Sequence, residues 1–329
     1  MAALLVAIAA NPCVAANTPI KPRETAGIQA DLAKKGYAVR EIRGGLYWVT
    51  DGAYNTMFLV SKEGVIAVDP LPSLGPRYLQ AIADVTDRKV THVIYSHAHT
   101  DHIGASALFP KDATIIAQTR AADELERLHD PRRRRPTEVF DKHTTLRVGD
   151  QVLDLDYRGP YHDAGNIFIY APRQKVLMLV DVVYPGYAPY PNLGIAANVS
   201  GYIQAHHDAL DYDFDTLVGG HVDRLGTRAD VQASLDFVND IRGAVTRLLS
   251  ATPFPTFLKS RTTASAWLTH DDYETLLVDR CYEQMLPRWN ERLIGLERSL
   301  KSHCRTMLVA YAVELPAEDN AGSSPGAAK

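Results

Sequence analysis

The string Ser96-His97-Ala98-His99-Thr100-Asp101-His102 puts three imidazoles and a carboxylate within six residues, directly after the apolar strand pattern Val90 to Tyr95. A lone histidine on such a loop is ordinarily a hydrogen-bonded polar residue. Three beside a carboxylate are costly to crowd together unless a cation binds them. His97 and His99, two residues apart on a loop leaving a strand, can both turn toward one ion. Asp101 and His102 begin the next element and can face a second. Imidazole and carboxylate suit zinc and other borderline divalent ions, and no thiolate lies in the string to favour a softer metal.

Two cations need more donors than this loop holds, and further ones stand at strand ends downstream. His162 lies in Tyr161-His162-Asp163-Ala164-Gly165-Asn166 between two strand patterns. Asp181 ends the apolar run Val176 to Val180, and His221 follows Leu217-Val218-Gly219-Gly220. Strand patterns at Leu46 to Thr50, Thr56 to Val60 and Val65 to Val68 form a meander. A helix at Gly75 to Val85 follows, then the strand into His97. A second run has strands at Ala113 to Ala117, Gln151 to Leu155, Asn166 to Tyr170 and Lys175 to Val180, with a helix at Arg120 to His129. Strands alternating with helices, with chemistry at strand ends, predict an α/β layered architecture. Beyond His221 the chain reads as helical: Arg228 to Leu249, Thr269 to Leu286 and Trp289 to Tyr311, with a proline break at Thr252 to Phe257.

The pattern His-x-His-x-Asp-His, a later His before a Gly-Asn pair, an Asp after an apolar strand and a Gly-His resembles the metallo-β-lactamase-fold superfamily, with order and spacing matching from about Gly44 to Asp223. The resemblance implies an αββα four-layer sandwich with metals at one edge. His97, His99 and His162 would hold one ion, Asp101, His102 and His221 the other, with Asp181 bridging. It implies two zinc ions per chain, with iron or manganese also accommodated by the same donors. Asp69, after the strand Val65 to Val68, stands where relatives have an Asp supporting the metal loop.

Departures from relatives narrow the reading. True β-lactamases of the superfamily usually have Cys or Ser where this chain has Asp181, and flavin-diiron relatives replace the second motif histidine, here His99, with Glu. Asp181-Val182-Val183-Tyr184 resembles the bridging Asp and nearby Tyr of homoserine-lactone lactonases, making Tyr184 a candidate for contact with a substrate carbonyl. Tyr187 and Tyr190 lie close enough in sequence to compete for that place. The implied activity is hydrolysis of a lactone or related ester by a metal-bound hydroxide, with Asp101 orienting the nucleophile or carrying its proton. The alternatives are a β-lactam hydrolase, a thioesterase of the glyoxalase II kind and a non-catalytic binding protein stabilised by metal.

Composition sets outer limits. The formal charge of −4 gives no reason to expect nucleic acid as a partner, so the expected partner is a small-molecule substrate. Residues 1–16 read as a signal-like segment without the usual leading Lys or Arg, which predicts a periplasmic or secreted protein and otherwise a cytoplasmic one. Residues 17–250 are expected to form the catalytic domain, 251–315 a helical extension and 316–329 a disordered tail. No stretch reaches the ~20 apolar residues of a membrane span, and a homodimer is compatible with the sequence. Cys281 and Cys304 are either a disulfide or two buried thiols. The run Arg132 to Arg135, between Pro131 and Pro136, reads as a solvated turn, His92 as a structural histidine, and His206 and His207 as lying where substrate loops are expected, with at least one exposed.

Overall fold

The computed structural model describes residues 26–260 and 265–315. The signal-like segment and the C-terminal tail lie outside the described residues. One sheet has seven strands in sequential order: β1 (Ala38–Arg43), β2 (Leu46–Thr50), β3 (Asn55–Ser61), β4 (Gly64–Val68), β5 (Val90–Ile94), β6 (Thr114–Gln118) and β7 (Glu138–Phe140). Its first four strands are antiparallel, and β4 to β7 run parallel. The other sheet has β8 (His143–Val148), β9 (Gln151–Asp156), β10 (Phe168–Ala171), β11 (Val176–Leu179) and β12 (Thr216–Val218), with only β11 and β12 parallel.

The helices are α1 (Ala26–Lys35), α2 (Pro76–Ala83), α3 (Thr100–Ile103), α4 (Thr119–Leu128), α5 (Pro191–Ile195), α6 (Val199–Leu210), α7 (Arg228–Ala251), α8 (Phe254–Lys259), α9 (Ala266–Trp289) and α10 (Leu296–Val313).

The layering follows from strands that are apolar on both faces. Along β4, Ile66 and Val68 point into a core shared with Met178 and Val180 of the second sheet, while Val65 and Ala67 pack against Tyr78 and Ile82 of α2. Along β11, Val176 and Met178 face the inter-sheet core, and Leu177 and Leu179 face Tyr202 of α6 and Val238 of α7. Alternate residues of one strand therefore serve different cores, the period of two that a pleated strand dictates. The result is helices on both outer faces of two stacked sheets, the expected αββα sandwich.

Helices α9 and α10 share the core of the second sheet's outer face: Trp289, Leu300 and Met307 join the same cluster as Phe168 and Leu217. Cys281 and Cys304 form a disulfide between these two helices, Cα atoms 6.0 Å apart. Among the described residues no helix is long and apolar enough to cross a membrane.

Several boundaries differ from the sequence reading. Helix α2 begins at Pro76, because Gly75 takes a left-handed φ of 54° and proline suits the first helical position. The last helix starts at Leu296 rather than Trp289, after Gly295 at φ 77°. His206 and His207 sit on α6, not on a substrate loop. His206 is buried, donating from Nδ1 to the Tyr202 carbonyl, and His207 is exposed. The arginine run is only partly solvated: Arg134 donates to the carbonyls of Pro110 and Lys111, and Arg133 to that of Ala98. Arg132 and Arg135 stay at the surface, paired with Asp130 and Glu126.

Candidate metal centre

Topology gathers the candidate residues at one edge. Parallel β4 and β5 both end there, presenting Asp69 and His97, as do parallel β11 and β12, presenting Asp181 and His221. Antiparallel partners must begin where these strands end, so the loop into β10 brings His162 and the turn into β3 brings Tyr54 and Asn55. The two sheets are tied at this edge by the Ile167 N–H donating to Ser96 and the Asn55 N–H donating to Gly220. Asp69 (φ 40°) and Asp181 (φ 63°) both adopt the left-handed conformation that Asp tolerates better than most residues, turning the chain sharply off its strand.

All seven sequence candidates meet. His97, His99, His162 and Asp181 form one group of donor atoms within 4.8 Å of one another, and Asp101, His102, Asp181 and His221 form a second. Asp181 belongs to both. Its Oδ2 lies 3.1 Å from His102 Nε2, 3.3 Å from His162 Nε2 and 3.9 Å from His97 Nε2, and its Oδ1 lies 3.1 Å from His221 Nε2. Among the described residues, His97 Nε2, both ring nitrogens of His102 and Asp181 Oδ1 are buried with no hydrogen-bond partner. Unsatisfied polar atoms in such a position are rare and costly, and divalent metal is the chemistry that would satisfy the convergent His97 Nε2, His102 Nε2 and Asp181 Oδ1.

Neighbouring hydrogen bonds fix the ring tautomers. Ser96 donates its N–H and its hydroxyl to Asp69 at 2.7 and 2.6 Å, so its Oγ is left to accept from Nδ1 of His97 at 2.9 Å. His162 donates from Nδ1 to the Gly194 carbonyl at 2.7 Å. Both rings therefore turn an unprotonated Nε2 toward Asp181, that of His97 without a hydrogen-bond partner among the described residues and that of His162 also 3.1 Å from His99 Nδ1. His99 is backed by the buried Asp163, 3.6 Å from its Nε2, and its Nδ1 faces His162. Arg133, bound to the Ala98 carbonyl, braces the same loop from behind. Gly220 has no room for a side chain, since a Cβ there would meet Asp181, Val180 and His102.

The electrostatics suit cation binding. Burial, reinforced by His102, His99 and His162, holds His97 well below the usual imidazole range, so it keeps a lone pair. Burial opposes charge on Asp181, but the surrounding imidazoles of His102, His221 and His162 overcome it and hold the carboxyl well below its ordinary value. Burial also opposes charge on His102, yet Asp181, Asp69 and Asp101 push it up to about 9. The anionic surroundings that attract a proton to His102 attract a cation to the same lone pair.

The centre opens on one side. His97, His102, His162 and Asp181 are sealed, while Asp101, with 46% of its side chain exposed, His99 and His221 form the mouth. Tyr54 stands beside them: its hydroxyl is 3.5 Å from Asp101 Oδ2 and its ring 4.5 Å from that of His221. Tyr184 is buried and stacks on the same imidazole, its ring 5.9 Å from that of His221. Tyr187 donates to Asp223, and Tyr190 is on the surface. His92 stays in β5 beside Thr91, outside both groups.

Tyr54, Ser96, Asp163, Asn55 and Gly194 were not assigned roles from sequence. The turn containing Tyr54 was visible, and only the antiparallel pairing of β3 with β4 reveals that it meets the histidine loop. Asn55 carries a second local duty. It donates to the carbonyls of His221 and Val222 while accepting from the Trp48 indole, and so holds Val222 at φ 73°, an unusual conformation for a β-branched residue.

A four-layer α/β sandwich with two His/Asp donor groups sharing one carboxylate at its edge defines the class: an α/β sandwich fold with a candidate metal site where its strands end. Residues 49–221 match the model of the metallo-beta-lactamase superfamily, and the chain belongs to that family. It is 30% identical over 194 residues to the 2,4-dinitroanisole O-demethylase subunit alpha of Nocardioides sp. (strain JS1661), a match taking in 57% of this chain and 58% of that protein. It is 24% identical over 200 residues to a metallo-beta-lactamase type 2 of Elizabethkingia meningoseptica, covering 58% of this chain and 77% of that one. In fold it is similar to the metallo-beta-lactamase from Pontibacter korlensis, with a TM-score of 0.54 at 21% identity over 61% of this chain and 97% of the other. Helices α7 to α10 lie outside the family match.

Proposed function

We propose that this chain is a metal-dependent hydrolase with two zinc ions per chain, acting on the carbonyl of a lactone or related ester. The observation that carries the reading is the pair of four-donor groups sharing Asp181, built around buried lone pairs without hydrogen-bond partners. His97, His99 and His162 with Asp181 would hold one ion, and Asp101, His102 and His221 with Asp181 the other. Iron or manganese would suit the same donors. Divalent ions bound there supply positive charge that lowers the pKa of water from ~15.7 toward ~7 and polarises a carbonyl oxygen.

The chain's own residues supply the proton handling and the shape. Asp101, at the open mouth, is placed to take a proton from water and pass it to the leaving alkoxide. Tyr54 donates to that carboxylate and keeps its own proton through the neutral range, because burial, then the charges of Asp101 and Asp181, push it up to about 12. Tyr184, buried against His221, steadies that ring, so Tyr54 is the phenol better placed to meet substrate.

The test is metal analysis of the purified protein followed by a hydrolysis screen before chelation, after chelation and after zinc is returned. Lactone hydrolysis that disappears with the metal and returns with zinc is expected. Activity surviving the double change Asp101→Ala and His102→Ala would sink the reading. A second reading, attack on an electron-poor carbon of an aryl ether, is favoured by the similarity to the dinitroanisole demethylase subunit. Including 2,4-dinitroanisole, nitrocefin and a thioester in the screen separates these substrate classes.

A further inference from the structure

Residues 192–195 form a left-handed turn. Asn192, Leu193 and Gly194 have φ of 61°, 55° and 66°, and Ile195 follows at 50°. Three of the four are not glycine, and L-residues rarely adopt this conformation in succession. Something must hold them there, and two side chains of α10 do so. Ser302 Oγ accepts from the Asn192 N–H at 2.9 Å, and His303 Nδ1 accepts from the Leu193 N–H at 3.0 Å. Ser302 is itself aimed by donating to the Ser299 carbonyl, and His303 is buried against Phe237. The end of α10 grips the next element too, Glu314 accepting from the N–H groups of Val199 and Ser200 at the start of α6.

The product of this turn is the Gly194 carbonyl, which accepts from Nδ1 of His162 and thereby leaves Nε2 facing Asp181. We propose that His303 is a positioning residue of the metal centre: from a helix outside the family match, it holds the left-handed turn whose Gly194 carbonyl aims His162. This rests on the dinuclear reading above. The helix is then part of the centre's support, two hydrogen bonds away from a ligand-bearing ring, as well as a cover for the second sheet.

The experiment compares wild type with His303→Leu, His303→Asn, Ser302→Ala and Met307→Ala, reading zinc affinity by chelator competition and the visible spectrum of the cobalt-substituted protein. His303→Leu keeps bulk but removes the acceptor, and should weaken one of the two ions by about 10- to 100-fold and shift the cobalt bands. His303→Asn restores an acceptor near the Nδ1 position and should recover most of both. Ser302→Ala should give a smaller loss in the same direction. Met307→Ala removes buried volume from the same helix and should lower thermal stability while leaving affinity and spectrum intact.

Wild-type affinity and spectrum in a folded His303→Leu protein would overturn the inference, as would an equal loss of affinity in Met307→Ala. If His303→Leu does not fold, an unchanged affinity in Ser302→Ala overturns it. Wild-type protein that binds no zinc or cobalt would instead overturn the dinuclear reading itself, and this inference with it.

Discussion

The hydroxyl of Tyr54 lies 3.5 Å from Oδ2 of Asp101. One residue comes from the turn before β3 and the other from the first turn of α3, so the contact joins two loops of the same sheet at the open mouth. Removing the hydroxyl with Tyr54→Phe leaves the ring packed on His221 but frees the Asp101 carboxylate to rotate. The expected outcome is a fall of roughly tenfold to a hundredfold in kcat, with bound metal unchanged, because small misplacements of a reacting group cost about that much. Steady-state kinetics beside metal analysis checks it, and a variant as fast as wild type refutes the role.

Asp69 supports two of the proposed ligand rings at once, through Ser96 to His97 and by its place 3.9 Å from Nδ1 of His102. In Asp69→Asn one acceptor oxygen becomes a donor, so the Ser96 hydroxyl must turn and His97 Nδ1 loses its fixed partner. Zinc affinity should drop by about 10- to 100-fold, the usual cost of losing a group that orients a ligand. Equilibrium dialysis against a chelator measures it, and equal retention by variant and wild type counts against the assignment.

The histidine string and its downstream partners were legible because their chemistry is unusual wherever they fall, and the strand before each was apolar enough to mark its end. The support was not legible. Asp163, Tyr54 and Asn55 are ordinary residues until strand pairing brings them to the edge. The exposed, mixed-polarity strands β7 and β8 gave no clean alternation. The arginine run misled because sequence shows its charge but not the carbonyls of Ala98, Pro110 and Lys111 waiting for it. The cysteine pair could not be decided until α9 and α10 were seen side by side.

Stability should fall in mild acid. Burial pushes His206 down to about 4, so the folded chain leaves it neutral while an unfolded chain protonates it below an ordinary value near 6.5. Between those limits the unfolded state binds the extra proton, and stability decreases as pH falls, by up to roughly 1.4 kcal/mol per pH unit. His303, pushed by burial to about 3, adds a contribution of the same sign. Urea midpoints measured from neutral pH downward should show the decline, and His206→Asn, which can still donate to Tyr202, should show a shallower one. Identical slopes in the two proteins would contradict this origin.

Breaking the bond between Cys281 and Cys304 releases a loop with 23 residues of separation. On chain-entropy grounds this should cost about 3 kcal/mol. Denaturant unfolding of the Cys281→Ala, Cys304→Ala double variant against wild type tests it, and equal midpoints would show that helix packing alone sets the stability here.

The shared core behind the second sheet has a consequence for anyone dividing this chain. A fragment limited to residues 49–221 would begin inside β2 and would leave Phe168, Leu177, Leu179 and Leu217 with α6 alone over them, without the cover that α7, α9 and α10 supply. Such a piece carries every proposed ligand, yet it would present a sticky apolar wall and aggregate rather than fold. The inheritable unit of this centre is therefore larger than its recognisable motif.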